Sequence, residues 1–313
     1  MDYVTLGRTG LNVSVISLGA GGSSRLGIQT ERSGQHAAEI VQNAIERGIN
    51  LIDTAEAYGT ESVVGAGLKH VKREDVIIST KYSLRENKGL KKAEDFEKSV
   101  DQSLANLNTD YLDIYHLHGV DHTDYDYAVQ QLVPEMIKMK EKGKIRFLGI
   151  TEAFASDSTH KTLERAVQDN CWDVMMVGFN LLNQSAREKI FKAAVAKNIG
   201  VLDMFAVRRA LSRPEVLIEL LNELFEKGLL DARKVDRNNP LGFLVHPDGA
   251  HSIVDAAYRF CRYEPGVHSV LMGTGNLQHL ANNIESVSRG PLPEQDIQRL
   301  KDIFAGIDSI TGN

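Results

Sequence analysis

Asn50-Leu51-Ile52-Asp53-Thr54-Ala55-Glu56-Ala57-Tyr58-Gly59 sets a short apolar run against an acid at its end and a tyrosine in the turn that follows. A run this brief, closed by turn residues, reads as a buried strand that hands over to a loop at Asp53. The pattern repeats in both directions. The strand candidates are Val15 to Leu18, Ile49 to Ile52, Val76 to Ser79, Leu112 to His116, Phe147 to Ile150, Val174 to Val177, Gly200 to Met204 and Ser269 to Met272. Stretches of helical period separate them: His36 to Glu46, Glu61 to Val71, Ala93 to Leu107, Tyr127 to Lys142, Ser156 to Asp169, Ala186 to Lys197 and Pro214 to Lys227, with a further set after Gly249. In the third, Phe96, Val100, Leu104 and Leu107 fall on one stripe that faces a core. This alternation predicts an α/β fold, a (β/α)8 TIM barrel with parallel strands inside and helices outside.

Elements outside the repeat fit the same plan. Val4 to Gly7 and Leu11 to Val13 flank Arg8-Thr9-Gly10 and are expected to form an N-terminal β-hairpin cap on the barrel floor. Pro293 to Ile307 reads as a C-terminal extra helix on the outside. The non-periodic stretch Leu229 to Gly249 is long enough to be expected as a lid or substrate loop. Without a repeat, low-complexity tract or linker, residues 1–313 are expected to be a single barrel domain.

Composition narrows the function. With 36 basic and 42 acidic residues the formal charge is −6, which argues against a nucleic-acid partner, since that would need a concentrated cationic surface. The first residues lack a basic segment followed by an apolar one, and no apolar run is long enough to span a bilayer. Cys171 and Cys261 stand outside any metal or redox spacing and are expected to be free, semi-buried thiols. A cytoplasmic protein without a membrane partner is the expectation. Oligomeric state leaves no sequence signal.

Functional side chains of a parallel barrel emerge where strands end. Asp53 ends the second run and Tyr58 lies on its loop; Lys81 follows the third run and His118 the fourth. An ammonium can pair with a carboxylate on the adjacent strand and favour a nearby phenolate, which makes the tyrosine a usable proton donor and acceptor. A histidine one strand further can hydrogen-bond the oxygen of a bound carbonyl. Together these four suit interconversion of a carbonyl and an alcohol.

The segments Leu6-Gly7-Arg8-Thr9-Gly10-Leu11, Asp53 to Gly59, Ser79-Thr80-Lys81 and Tyr111-Leu112-Asp113 to His118 resemble the aldo-keto reductase family. The resemblance implies that Asp53, Tyr58, Lys81 and His118 are a catalytic tetrad with Tyr58 as general acid. It also implies NADP(H) or NAD(H) bound without a Rossmann domain, and a small-molecule carbonyl or polyol substrate. Family members carry Ser-Asn after strand five and Gln at the end of strand six, where this chain has Thr151, Glu152 and Met176. After strand seven the usual Ser-Pro-Leu is replaced by Met204 to Arg209, with Phe205 expected to stack on the nicotinamide and Arg208 to meet the pyrophosphate. The segment after strand eight keeps the family outline and assigns Gly273, Thr274, His279, Asn282 and Asn283 to the cofactor. His279 stands where NADPH-specific members carry a permanent cation, which leaves NAD(H) open. The orphan amides of the helix that follows would suit a phosphate.

Three other readings compete. Gly19-Ala20-Gly21-Gly22-Ser23-Ser24 imitates a dinucleotide fingerprint but lacks its third glycine. His116, His118 and His122 could ligate zinc in a metal-assisted hydrolase. A catalytically weak barrel that binds nicotinamide cofactors for regulation is the third. Asp121, Asp124, Asp126, Arg208 and Arg209 hint at a polyhydroxylated substrate such as a sugar.

Overall fold

The eight expected strands close into one parallel barrel in which every neighbour in sequence is also a neighbour in space. The computed structural model describes residues 1–30, 33–86, 89–231 and 233–313. The strands are Ile16–Gly19, Leu51–Asp53, Ile77–Ser83, Leu112–Val120, Ile145–Glu152, Val174–Gly178, Gly200–Met204 and Ser269–Met272. Strands three, four and five run several residues past their apolar stretches. The pairs Lys81 with His116 and Ser83 with His118 keep the parallel ladder intact, so polar side chains there end the apolar signal but not the strand. Lys81 and His118 therefore sit on strands rather than on the loops after them.

Leu51, Ile77, Ile114, Val174, Leu202 and Met204 point inward and join Leu6, Leu11 and Val13 in one apolar cluster. The N-terminal hairpin, Tyr3–Thr5 paired with Asn12–Ser14, thus closes the barrel floor as expected. Gly7 permits this approach: at φ +47°, a Cβ there would lie 2.4 Å from the Gly200 nitrogen. The second, larger cluster lies between strands and helices, where each fully buried large apolar side chain contributes about 1.5–3 kcal/mol.

Two helical expectations change. Instead of Ser156 to Asp169, only Lys161–Ala166 is helical. The Asp157 carboxylate accepts from the Lys161 and Thr162 amides, and His160 adopts a left-handed conformation, so the polar run before the helix forms its cap. Glu61 to Val71 ends early, at Gly67.

Leu229 to Gly249 is not a lid over either cavity described below. Ala232 lies outside the described residues; Leu230, Val235, Leu241 and Leu244 are buried, Arg237 lies over the Phe225 ring and Arg299 over the Phe243 ring, which ties the segment to outer helices. The external helix forms at Glu294–Phe304. Cys171 is partly buried and Cys261 fully so, and both are free. No helix among the described residues is long and apolar enough to cross a membrane.

Candidate active site

Asp53 closes strand two, where its side chain is buried beside strand three. Its Oδ1 accepts from Ser79 Oγ at 2.7 Å and its Oδ2 from Lys81 Nζ at 2.5 Å, while Lys81 Nζ also donates to the Thr54 carbonyl at 2.7 Å. Burial disfavours the Lys81 ammonium, yet Asp53 and Tyr58 outweigh it and hold the lysine above its ordinary value, charged. Burial pushes the Asp53 carboxyl up, with Lys81 opposing.

Tyr58 ends a single helical turn, Glu56–Tyr58, that Gly59 terminates in the left-handed region at φ +67°. Glu56 anchors this turn by accepting from the Ser83 amide at 2.7 Å and from Lys91 Nζ at 2.5 Å. The Tyr58 ring lies 5.0 Å from Lys81 Nζ, and its hydroxyl is 3.3 Å from His118 Nε2. Gly21, after strand one, makes room for the ring, because a Cβ there would come within 2.5 Å of it. Burial, with Lys81 assisting, pulls the His118 pKa down to about 3, so the imidazole is neutral and offers one donor and one acceptor. The structure brings Asp53, Tyr58, Lys81 and His118 together.

The position of His118 depends on a bulge. Between Leu117 and Val120 strand four carries one residue more than strand five, with Gly119 at φ +57°. Thr151 Oγ1 accepts from the Gly119 amide at 2.7 Å. Thr151, expected at the cofactor, is instead buried against the strand carrying His118.

Tyr58 and His118 stand in the walls of two different cavities. The larger, about 1040 Å³, is lined by Asp53 and Tyr58 together with Met176, Phe205, Arg208, Gly273, Thr274, His279, Asn282 and Asn283. The smaller, about 480 Å³, includes His118 in its wall. Neither Thr151 nor Glu152 lines the larger cavity. Glu152 is turned into the protein, where it accepts from His160 Nδ1 at 2.9 Å and from the Gly178 amide at 2.8 Å. These inward bonds correct the expectation that both residues face the cofactor.

Arg208 lies 4.0 Å over the Phe205 ring, and its Nη1 is buried with no hydrogen-bond partner among the described residues. Burial pulls its pKa below the ordinary arginine value. Phe205 holds a left-handed conformation at φ +74° and stacks on Phe154 at 5.9 Å. The helix after strand eight departs from expectation: Asn276 Oδ1 takes the Gln278 and His279 amides and Thr274 Oγ1 takes that of Asn276, so these amides are capped by the chain itself.

Sequence reasoning missed Gly19, Gly21, Gly22, Ser23 and Ser24, which line the large cavity. Their signal was the glycine cluster after strand one, set aside with the dinucleotide fingerprint. Arg209, Arg213, Ser252 and Tyr258 also line it, from helices whose inward faces one chain does not reveal.

The histidine cluster does not assemble. His116 is wholly buried with its ring against Gly149, where a Cβ would lie 2.2 Å from Nδ1, while His122 is exposed. Among the described residues no three His, Cys, Asp or Glu side chains are placed to hold a metal ion.

The protein is thus a closed (β/α)8 barrel that gathers a lysine, a carboxylate, a tyrosine and a histidine at its mouth. The family model described as the aldo/keto reductase family matches residues 16–305, and the chain belongs to this family. It is 28% identical to L-galactose dehydrogenase of Arabidopsis thaliana, over 99% of this chain and 95% of the relative. It is 34% identical to the aldo-keto reductase YhdN of Bacillus subtilis, over 48% of this chain and 47% of that one. The holo form of aldo-keto reductase AKR11C1 from Bacillus halodurans shares the fold, with a TM-score of 0.75, 22% identity and 100% of both chains covered. Membership makes the chain an oxidoreductase of a family that uses nicotinamide cofactors and acts on small carbonyl compounds.

Proposed function

We propose that this protein interconverts an alcohol and a carbonyl, an aldehyde, ketone or sugar, at the junction of its two cavities, with Tyr58 as general acid and base. The observation that carries the reading is the 3.3 Å contact of Tyr58 Oη with His118 Nε2, one residue lining the large cavity and the other the small. A carbonyl oxygen at that junction is within reach of both groups. In reduction the Tyr58 hydroxyl gives its proton to this oxygen, His118 orients it as a neutral hydrogen-bond partner, and Lys81 stabilises the phenolate left behind. Asp53 keeps Lys81 in place.

The large cavity fits NAD(H) or NADP(H): glycines give backbone access, and Arg208 in the wall supplies a cation for an anionic group. When bound, the nicotinamide supplies or accepts the hydride. Arg208, with Arg209 and Arg213, would hold the pyrophosphate, and His279 faces the cavity without a permanent charge. The similarity to an L-galactose dehydrogenase favours a sugar among the carbonyl classes.

Fluorescence titration with NADH and NADPH, followed by absorbance at 340 nm across aldehydes, ketones and sugars, tests the reading. Tyr58→Phe is expected to lower kcat by about 10²–10⁴-fold while cofactor affinity holds. Failure of both cofactors to bind, or an unchanged kcat in Tyr58→Phe, would sink it.

A further inference from the structure

The smaller cavity has a chemistry of its own. Among the described residues its wall is Ser83, Leu84, Arg85, His118, Gly119, Asp121, Thr123 and Asp124, so Leu84 is the one apolar side chain. Two carboxylates face the space. Asp124 is held by Arg85, whose Nε and Nη2 donate to it at 2.8 and 2.6 Å. Asp121 is used differently. Its Oδ1 accepts from the Thr123 amide and hydroxyl at 3.0 and 2.8 Å, whereas among the described residues Oδ2 has a 3.4 Å contact with Ser156 Oγ. One carboxylate oxygen thus retains most of its capacity to accept.

An apolar aldehyde filling this space would strip water from Asp121 and Ser83 without replacing its hydrogen bonds, a cost of about 1–3 kcal/mol for each group left unmet. A substrate rich in hydroxyls replaces them. We infer that the small cavity selects polyhydroxylated carbonyl substrates, with Asp121 as the residue that accepts a substrate hydroxyl and Ser83 assisting. The inference rests on the reaction assigned above and names its substrate class. The Thr123 amide, with its hydroxyl, holds Asp121 below the ordinary carboxylate range, which keeps this acceptor ionised.

Glyceraldehyde and propanal share three carbons and one aldehyde and differ by two hydroxyls, so they separate the classes. Wild-type kcat/KM is expected to favour glyceraldehyde by about tenfold or more. Asp121→Asn keeps an oxygen for the Thr123 cap and is expected to lower that preference by about tenfold, mainly through KM for glyceraldehyde. Ser83→Ala should act in the same direction by a smaller factor. Equal or better use of propanal by the wild type, or an equal effect of Asp121→Asn on both substrates, would overturn the inference.

Saturation-transfer NMR with xylitol against 1-pentanol, in the presence of NAD or NADP, reads the same recognition without turnover. Xylitol signal that falls in Asp121→Asn supports the pocket's assignment even if no carbonyl is reduced, in which case the proposed reaction alone fails. Preference for pentanol in the wild type defeats the substrate class whatever the turnover.

Discussion

Two of the aspartates buried on barrel strands, Asp53 and Asp203, are treated in opposite ways. Asp53, on strand two, has Ser79 Oγ on one oxygen and Lys81 Nζ on the other. Asp203, on strand seven, has no hydrogen-bond partner on either oxygen among the described residues. The Phe179 amide donates to the Met204 carbonyl and the Cys261 thiol to the Phe179 carbonyl at 3.7 Å, and both groups only partly offset the burial of Asp203. Burial pushes the Asp203 carboxyl well above the usual range, whereas at Asp53 the Lys81 ammonium opposes the same push. The contrast extends to the strands around them. Asp53, Lys81 and His118, on strands two to four, converge beside Tyr58 at the barrel mouth. On strand five the polar side chains turn into the protein, where Thr151 secures a bulge and Glu152 holds His160. Identical residue types gather at the mouth or bind within the protein according to which face of the strand carries them and what stands opposite.

The comparison can be broken most forcefully at Lys81. Lys81→Met leaves the buried Asp53 carboxylate without its cation and is expected to cost about 3–5 kcal/mol in chemical denaturation, beside its effect on activity. An unchanged midpoint would mean that the pair contributes nothing to the fold and that the two aspartates differ less than their contacts suggest.

His118 sharpens it next through pH. Its pKa falls from an ordinary 6.5 to about 3 on folding, so the unfolded chain binds a proton that the folded chain refuses. The associated stability is present above pH 6.5 and drains away as the pH falls toward 3. Between pH 7 and pH 5 this residue alone should remove about 2 kcal/mol, and His118→Leu should lose that part of the pH dependence. Parallel denaturation curves for wild type and variant at both pH values would refute the assignment.

Asp203 carries the smallest effect and the opposite sign. Because its pKa is raised on folding, its favourable contribution is complete below the unfolded value of 3.8 and is lost as the pH rises through the folded one. Asp203→Asn removes that ionisation and is expected to stabilise the protein by about 1 kcal/mol at pH 8, with the gain fading toward pH 4. A destabilised variant at pH 8 would show that the carboxyl has a partner after all.

The residues legible in advance were those tied to a pattern along the chain. Eight short apolar runs marked the barrel, and Asp53, Tyr58, Lys81 and His118 stood out as polar residues where those runs stop. What misled were side chains whose partners are remote in sequence. Thr151 meets an amide 32 residues away, and Glu152 meets Gly178 across the neighbouring strand. The long segment 229–249 looked like a lid because it lacks period, yet its buried leucines place it against the outer helices.

Sequence alone therefore determined the barrel and its four-residue mouth, because alternation of apolar and polar residues is a local property that fixes strand, helix and strand end. Only the tertiary structure decided the rest: that Arg208 lines the large cavity, that Asp121 lines the small one, and that Asp203 is sealed from both. Each depends on the burial and orientation of atoms brought together across the barrel, and free energies of charge and hydrogen bonding follow that surrounding rather than the residue's name.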